Sequence, residues 1–128
     1  MMFAELCASA SIALLLLTGV VHSVGGEVYL IRPLFKYRGN RVLENSLARM
    51  VIRFAWHITS LMWALLAGIL YTAVFAVPHL GDVTLIGIGV CFVGVGLFDL
   101  FASKGRHIGW PLLTLIGVFA LMAAYFAR

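Results

Sequence analysis

Two polar islands interrupt an otherwise oily chain: Val21-His22-Ser23-Val24-Gly25-Gly26-Glu27 near the N-terminus, and Trp56-His57-Ile58-Thr59-Ser60 further on. Ionisable groups are costly at membrane depth, so they usually face a polar interior and mark a function. Histidine is the commonest metal ligand, and with a free pKa of ~6.5 it also carries protons near neutrality. Two imidazoles and a carboxylate at similar depth suit three kinds of chemistry. A transition metal, Zn or Fe, would take His22, His57 and Glu27 as ligands, with His107 and Asp99 as further donors. Haem iron would be held from its two faces by His22 and His57, each near glycines that let a flat ring approach, as in a cytochrome-like bundle. Proton transfer would use the same histidines, with Glu27 orienting one of them and Arg53 offsetting its charge. The chain has no zincin pattern, phosphate loop, nucleophile elbow or spaced-cysteine zinc motif. No catalytic residue is therefore assigned.

The elements that position these residues follow from composition. The chain is 128 residues long, 63% hydrophobic and only 11% charged, with a mean hydropathy of +1.08. A soluble domain this small has too little interior to hide so much apolar surface, so the solvent must be lipid. Crossing ~30 Å of hydrocarbon takes roughly 20 apolar residues. Four runs qualify, from about Ala4 to Leu30, Val51 to Val77, Val83 to Ala102, and Trp110 to Ala127. The expected fold is all-α: a four-helix membrane bundle of up-down topology, forming a single domain over residues 1–128. The first run is expected to stay as a span, because no basic region precedes Leu6 and the apolar stretch is too long for a cleavable signal peptide.

Orientation comes from the basic residues. Arg32, Lys36, Arg38, Arg41, Arg49 and Arg53 lie in or beside the first connection, Lys104 and Arg106 lie in the third, and Arg128 stands apart. Short loops rich in Lys and Arg stay in the cytoplasm. Both termini, and the Pro78 to Asp82 turn with His79, are expected outside a bacterial inner membrane. This bias accounts for the net charge of +4, which suits contact with anionic lipid headgroups and calls for no nucleic acid partner. Cys7 and Cys91 are expected to be two small buried apolar residues and not a disulfide.

Helical spacing then distributes the polar groups. In span one Gly19, His22 and Gly26 are expected on one face, with Ser23 and Glu27 on the adjacent face. Arg32-Pro33 should end that span, and a helix should restart near Val42. Arg49, Arg53 and His57 repeat every fourth residue and form a stripe leading inward. Trp56 and Trp63 read as packing or lipid-contacting aromatics. In span three Gly89, Gly96, Asp99 and Ser103 fall on one line, with Gly87 and Gly94 in a neighbouring row, a pattern of tight helix packing. Asp99 either pairs with Lys104 or joins the polar cluster.

The motifs His22-Ser23, Gly26-Glu27, Trp56-His57 and Gly105-Arg106-His107 together resemble an uncharacterised family of small four-helix inner-membrane proteins of bacteria, to which no activity is attached. Three functional classes follow from the residues. A cluster of His22, Glu27, His57, Asp99 and His107 in the cytoplasmic half would bind a metal or haem. The glycine rows would instead suit a structural or accessory subunit, docking in a homo-oligomer or a larger membrane complex. A proton-coupled transporter or membrane enzyme for a lipophilic substrate is the third class, and it needs a cavity reaching the cluster.

Overall fold

Inside lipid every backbone N–H and C=O must find its partner within the segment, and long runs of Leu, Val, Ala and Phe do this as helix. The computed structural model describes residues 2–37 and 39–126, so the basic residues Arg38 and Arg128 and the expected last span residue Ala127 lie outside the described residues. Within them the chain is helical, with no strand. Four helices are long and apolar enough to cross a membrane: Phe3–Leu34, Ser46–Phe75, Val77–Ser103 and Gly109–Phe126. The first runs past its expected end to Leu34 and the third begins earlier, at Val77, while the second starts earlier, at Ser46, but stops at Phe75, short of the expected Val77.

Span one is not a plain α-helix. α1 (Met2–Val20) runs on into two π-helical stretches, Val21–Gly25 and Glu27–Ile31, and closes with the short α2 (Arg32–Leu34). Pro33 therefore stands within the final turn instead of stopping the helix before it. The polar link contains α3 (Arg41–Glu44), started by the Asn40 side chain, which accepts from the Val42 and Leu43 N–H groups at 2.9 and 3.3 Å. Asn45 starts α4 (Ser46–Phe75) in the same way, accepting from Leu47 and Ala48 at 2.9 and 3.2 Å. Asparagine is a favoured N-cap because its short side chain reaches these orphan donors. The expected single restart near Val42 is thus two helices, divided at Asn45. α4 has 30 residues, about 45 Å at 1.5 Å per residue. That exceeds the ~30 Å of a hydrocarbon core.

A 3₁₀ turn, Val77–His79, leads into α5 (Leu80–Ser103). That helix ends where Lys104 and Gly105 take positive φ of 53° and 73°, and the Gly105 N–H returns to the Leu100 carbonyl at 2.9 Å. This left-handed closure satisfies carbonyls the helix would otherwise leave open. α6 (Gly109–Phe126) completes the chain.

The spans pack against their sequence neighbours, α1 on α4, α4 on α5, and α5 on α6. Paired residues show each neighbour running antiparallel. Gly19 meets Ser60 and Trp63 while Gly26 meets Trp56; Gly89 meets Leu121 while Gly96 meets Thr114. The α5–α6 seam is the tightest. A Cβ on Gly117 would stand 2.5 Å from the Val93 amide nitrogen and 2.6 Å from the Gly89 carbonyl oxygen, so only a bare backbone fits. The α4–α5 seam is looser, with Phe54 stacked on Phe98 at 5.1 Å and a groove beside them. Large apolar side chains such as Leu14, Phe101 and Phe119 face outward, as lipid contact requires. Cys7 is exposed, Cys91 half-buried, and both are free.

Gly117→Leu should force α5 and α6 apart and cost about 1–3 kcal/mol, the usual range for overpacking. Gly25→Ala, where nothing lies within 4 Å of the new methyl group, should be neutral or stabilise by up to about 1 kcal/mol. Thermal unfolding in mild detergent measures both, and equal losses would contradict the close seam.

Candidate functional site

The π-helical turns decide how span one meets α4. A π-helix pairs residues five apart, where an α-helix pairs residues four apart. Glu27 accordingly reaches Arg32, five residues on, with Arg32 Nε donating to Oε1 at 3.2 Å. The same carboxylate accepts from Arg53 Nε of α4 at 3.1 Å on Oε2, and His57 Nε2 approaches that oxygen at 3.5 Å. This last distance exceeds ordinary hydrogen-bond length, so the contact is chiefly electrostatic. On the other edge of the imidazole, Ser23 Oγ lies 2.7 Å from His57 Nδ1. With Nε2 turned to a carboxylate, Nδ1 is the natural acceptor in neutral His57 and the Ser23 hydroxyl donates to it. Ser23, His57 and Glu27 thus form a polar line across the first two spans.

Glu27 is the best covered member, its side chain 18% exposed against 65% for Arg32 and 47% for Arg53. One carboxylate faces two guanidinium groups, and Arg49 adds a third cation one turn away on α4. The neighbourhood carries excess positive charge.

His22 occupies a different place. Its ring lies flat on Trp56, with centroids 4.2 Å apart and planes 6° apart, and Trp63 meets its edge at 4.8 Å. Thr59 donates to the Trp56 carbonyl at 2.6 Å and accepts from His22 Nε2 at 2.9 Å. The Trp56 indole donates to the His22 carbonyl at 3.0 Å. Gly26 is required here because the indole fills the space a Cβ would take. The two tryptophans, expected as general packing, are the walls around His22.

Asp99 and His107 form a third group. Asp99 is fully buried and pairs with His107, Oδ2 to Nδ1 at 2.5 Å, instead of with Lys104 or with the first two spans. Gly109 leaves room for this pair: a Cβ there would stand 3.1 Å from His107 Nδ1 and 3.5 Å from Asp99 Oδ2. The pair ties the end of α5 to the loop before α6.

The five expected ligands therefore divide. His57 and Glu27 meet, His22 is held among aromatics, and Asp99 with His107 stands apart. Among the described residues no three His, Cys, Asp or Glu side chains come together as a metal-binding group. His79 lies in the exposed 3₁₀ turn.

Beside His57 the loose α4–α5 seam opens into a cavity of about 860 Å³. Arg49, Arg53 and His57 line one end of it, while Met50, Phe54 and Leu61 of α4 and Val90, Val95 and Phe98 of α5 make apolar walls. Phe35 closes the polar end, its ring 5.3 Å beneath the Arg53 guanidinium carbon. Sequence spacing finds the Arg49, Arg53 and His57 stripe and puts Ser23 beside Glu27, but gives Arg32 and Phe35 no place in the site. The interval of five from Glu27 to Arg32 is the signal for one of these, and it has meaning only in a π-helix.

Glu27→Gln should destabilise the fold by about 1–2 kcal/mol, between the values for exposed and buried pairs, because two arginines and a histidine lose a common counter-charge. Arg32→Gln should cost less, its side chain being mostly in solvent. Melting temperatures in detergent test the order, and equal losses would mean that Glu27 is not the shared centre. Comparison with known protein families, curated proteins and solved structures finds no match for this chain.

Proposed function

We propose that this is a membrane protein for a lipophilic anion, held in the groove between α4 and α5, with His57 as the proton-carrying group of a transport or enzymatic step. The observation that carries this reading is the stripe of Arg49, Arg53 and His57 along one end of an otherwise apolar cavity. Acyl or isoprenoid chains fit the apolar walls, and a phosphate or carboxylate head completes the charge left by the arginines. Glu27 already faces two guanidinium groups, so the local balance favours an added anion over an added cation. The Ser23 to His57 to Glu27 line supports proton movement, because the imidazole has a polar partner on each nitrogen. The many basic residues of the first connection support placing this end of the groove in the inner leaflet of a bacterial inner membrane, with both termini outside.

A second reading rests on the approach of His57 Nε2 to Glu27 Oε2. The pair would supply two ligands to a zinc or iron ion, with further donors from its cargo or from another copy of the chain. Elemental analysis and an absorption spectrum separate the readings. Stoichiometric metal, or a haem band, that vanishes in His57→Ala would favour the second.

The first reading predicts that protein in nanodiscs retains anionic lipid or fatty acid in preference to zwitterionic lipid, measured by native mass spectrometry. Arg49→Ala with Arg53→Ala should lower occupancy about a hundredfold or more, the worth of two charge-assisted contacts. His57→Gln should keep the ligand but abolish the proton exchanged on binding, read from calorimetry in buffers of different ionisation heat. Unchanged occupancy in the arginine variant, or an unchanged proton count in His57→Gln, would overturn the respective assignment.

A further inference from the structure

The groove does not stop at its arginines. Beyond Phe35 and Arg49, which line both spaces, lies a second cavity of about 610 Å³ formed by the link between span one and α4. Lys36, Tyr37, Leu43 and Glu44 complete its walls. It borders the first turn of α4 at Arg49. The two spaces thus follow the plan of a lipid: chains among apolar side chains, a charge at Arg49, and room for a substituent beyond it.

The chemistry of the second cavity narrows that substituent. A bare phosphate monoester would need only cations, yet Glu44 places a carboxylate here. A quaternary ammonium has no hydrogen to give to Glu44 and would be repelled by Lys36. Hydroxyl groups fit every wall, since each one both donates and accepts. They can donate to Glu44 while accepting from Lys36, Arg49 and the Tyr37 phenol. Glu44 is exposed, and the Gly39 N–H donates to its Oε1 at 2.9 Å.

We propose, resting on the groove reading above, that the ligand is a lipid whose phosphate carries a polyol, glycerol or a sugar, with the phosphate at Arg49 and the hydroxyls between Glu44 and Tyr37. The probe is a set of lipids with identical acyl chains, phosphatidylglycerol, phosphatidic acid and phosphatidylethanolamine, doped into phosphatidylcholine nanodiscs holding the full chain. Phosphatidylglycerol should be retained about tenfold or more over phosphatidic acid, the effect of one charge-assisted hydrogen bond to Glu44. Glu44→Gln, which keeps an oxygen for the Gly39 N–H, and Tyr37→Phe should each erase that preference and leave phosphatidic acid binding unchanged. Arg49→Ala should weaken both lipids. Equal retention of the two lipids by the unaltered protein, or parallel loss of both in Glu44→Gln and Tyr37→Phe, would overturn the polyol assignment while leaving the groove reading intact. Glycerol phosphate without acyl chains competing as well as the lipid would overturn the lipid source. No preference for any anionic lipid over phosphatidylcholine would overturn the groove reading itself.

Discussion

The Glu27 carboxylate is the constraint around which the first half of the molecule is built. It is the common partner of Arg32 on its own span and of Arg53 and His57 on the next. A carboxylate left alone near hydrocarbon would be expensive, and so would the guanidinium groups facing it. Joined, they fix the register of span one against α4. The π-helical winding makes this possible, because it turns His22, Ser23 and Glu27 together toward α4 and brings Arg32 back to the carboxylate.

That register has effects on both sides. Toward the bilayer centre it sets Gly26 beneath the Trp56 indole and seats His22 between two tryptophans, so the seam is closed by aromatic stacking. Toward α5 it leaves Arg53 and His57 on the wall of the groove. Fold and site are one arrangement here, not a scaffold with a site added.

How much of this could be read in advance depended on whether the α-helical period held. In α5 it does, and the line of Gly89, Gly96, Asp99 and Ser103 is buried as its spacing implies, with both glycines against α6. In α4 it also holds, and Arg49, Arg53 and His57 line a single cavity. In span one it fails, since residues assigned to two faces of an α-helix share one face in the π-helical turns. Asp99 and His107 were obscure for another reason. Their partnership crosses the left-handed turn at Lys104 and Gly105, where an interval of eight residues says nothing about distance.

The molecule is held together by two unlike seams with a third between them. Span one and α4 are locked by charge and aromatic contact, while α5 and α6 are locked by bare backbone at Gly89, Gly96 and Gly117. Each pair is therefore a stiff plank, and the join between the planks is where strain is cheapest to absorb. A slide of one plank along the other breaks no ion pair in the first and shifts only side-chain contacts at the join, Phe54 on Phe98 and Leu65 on Gly87. Parting that join would leave the contacts inside each stiff half undisturbed.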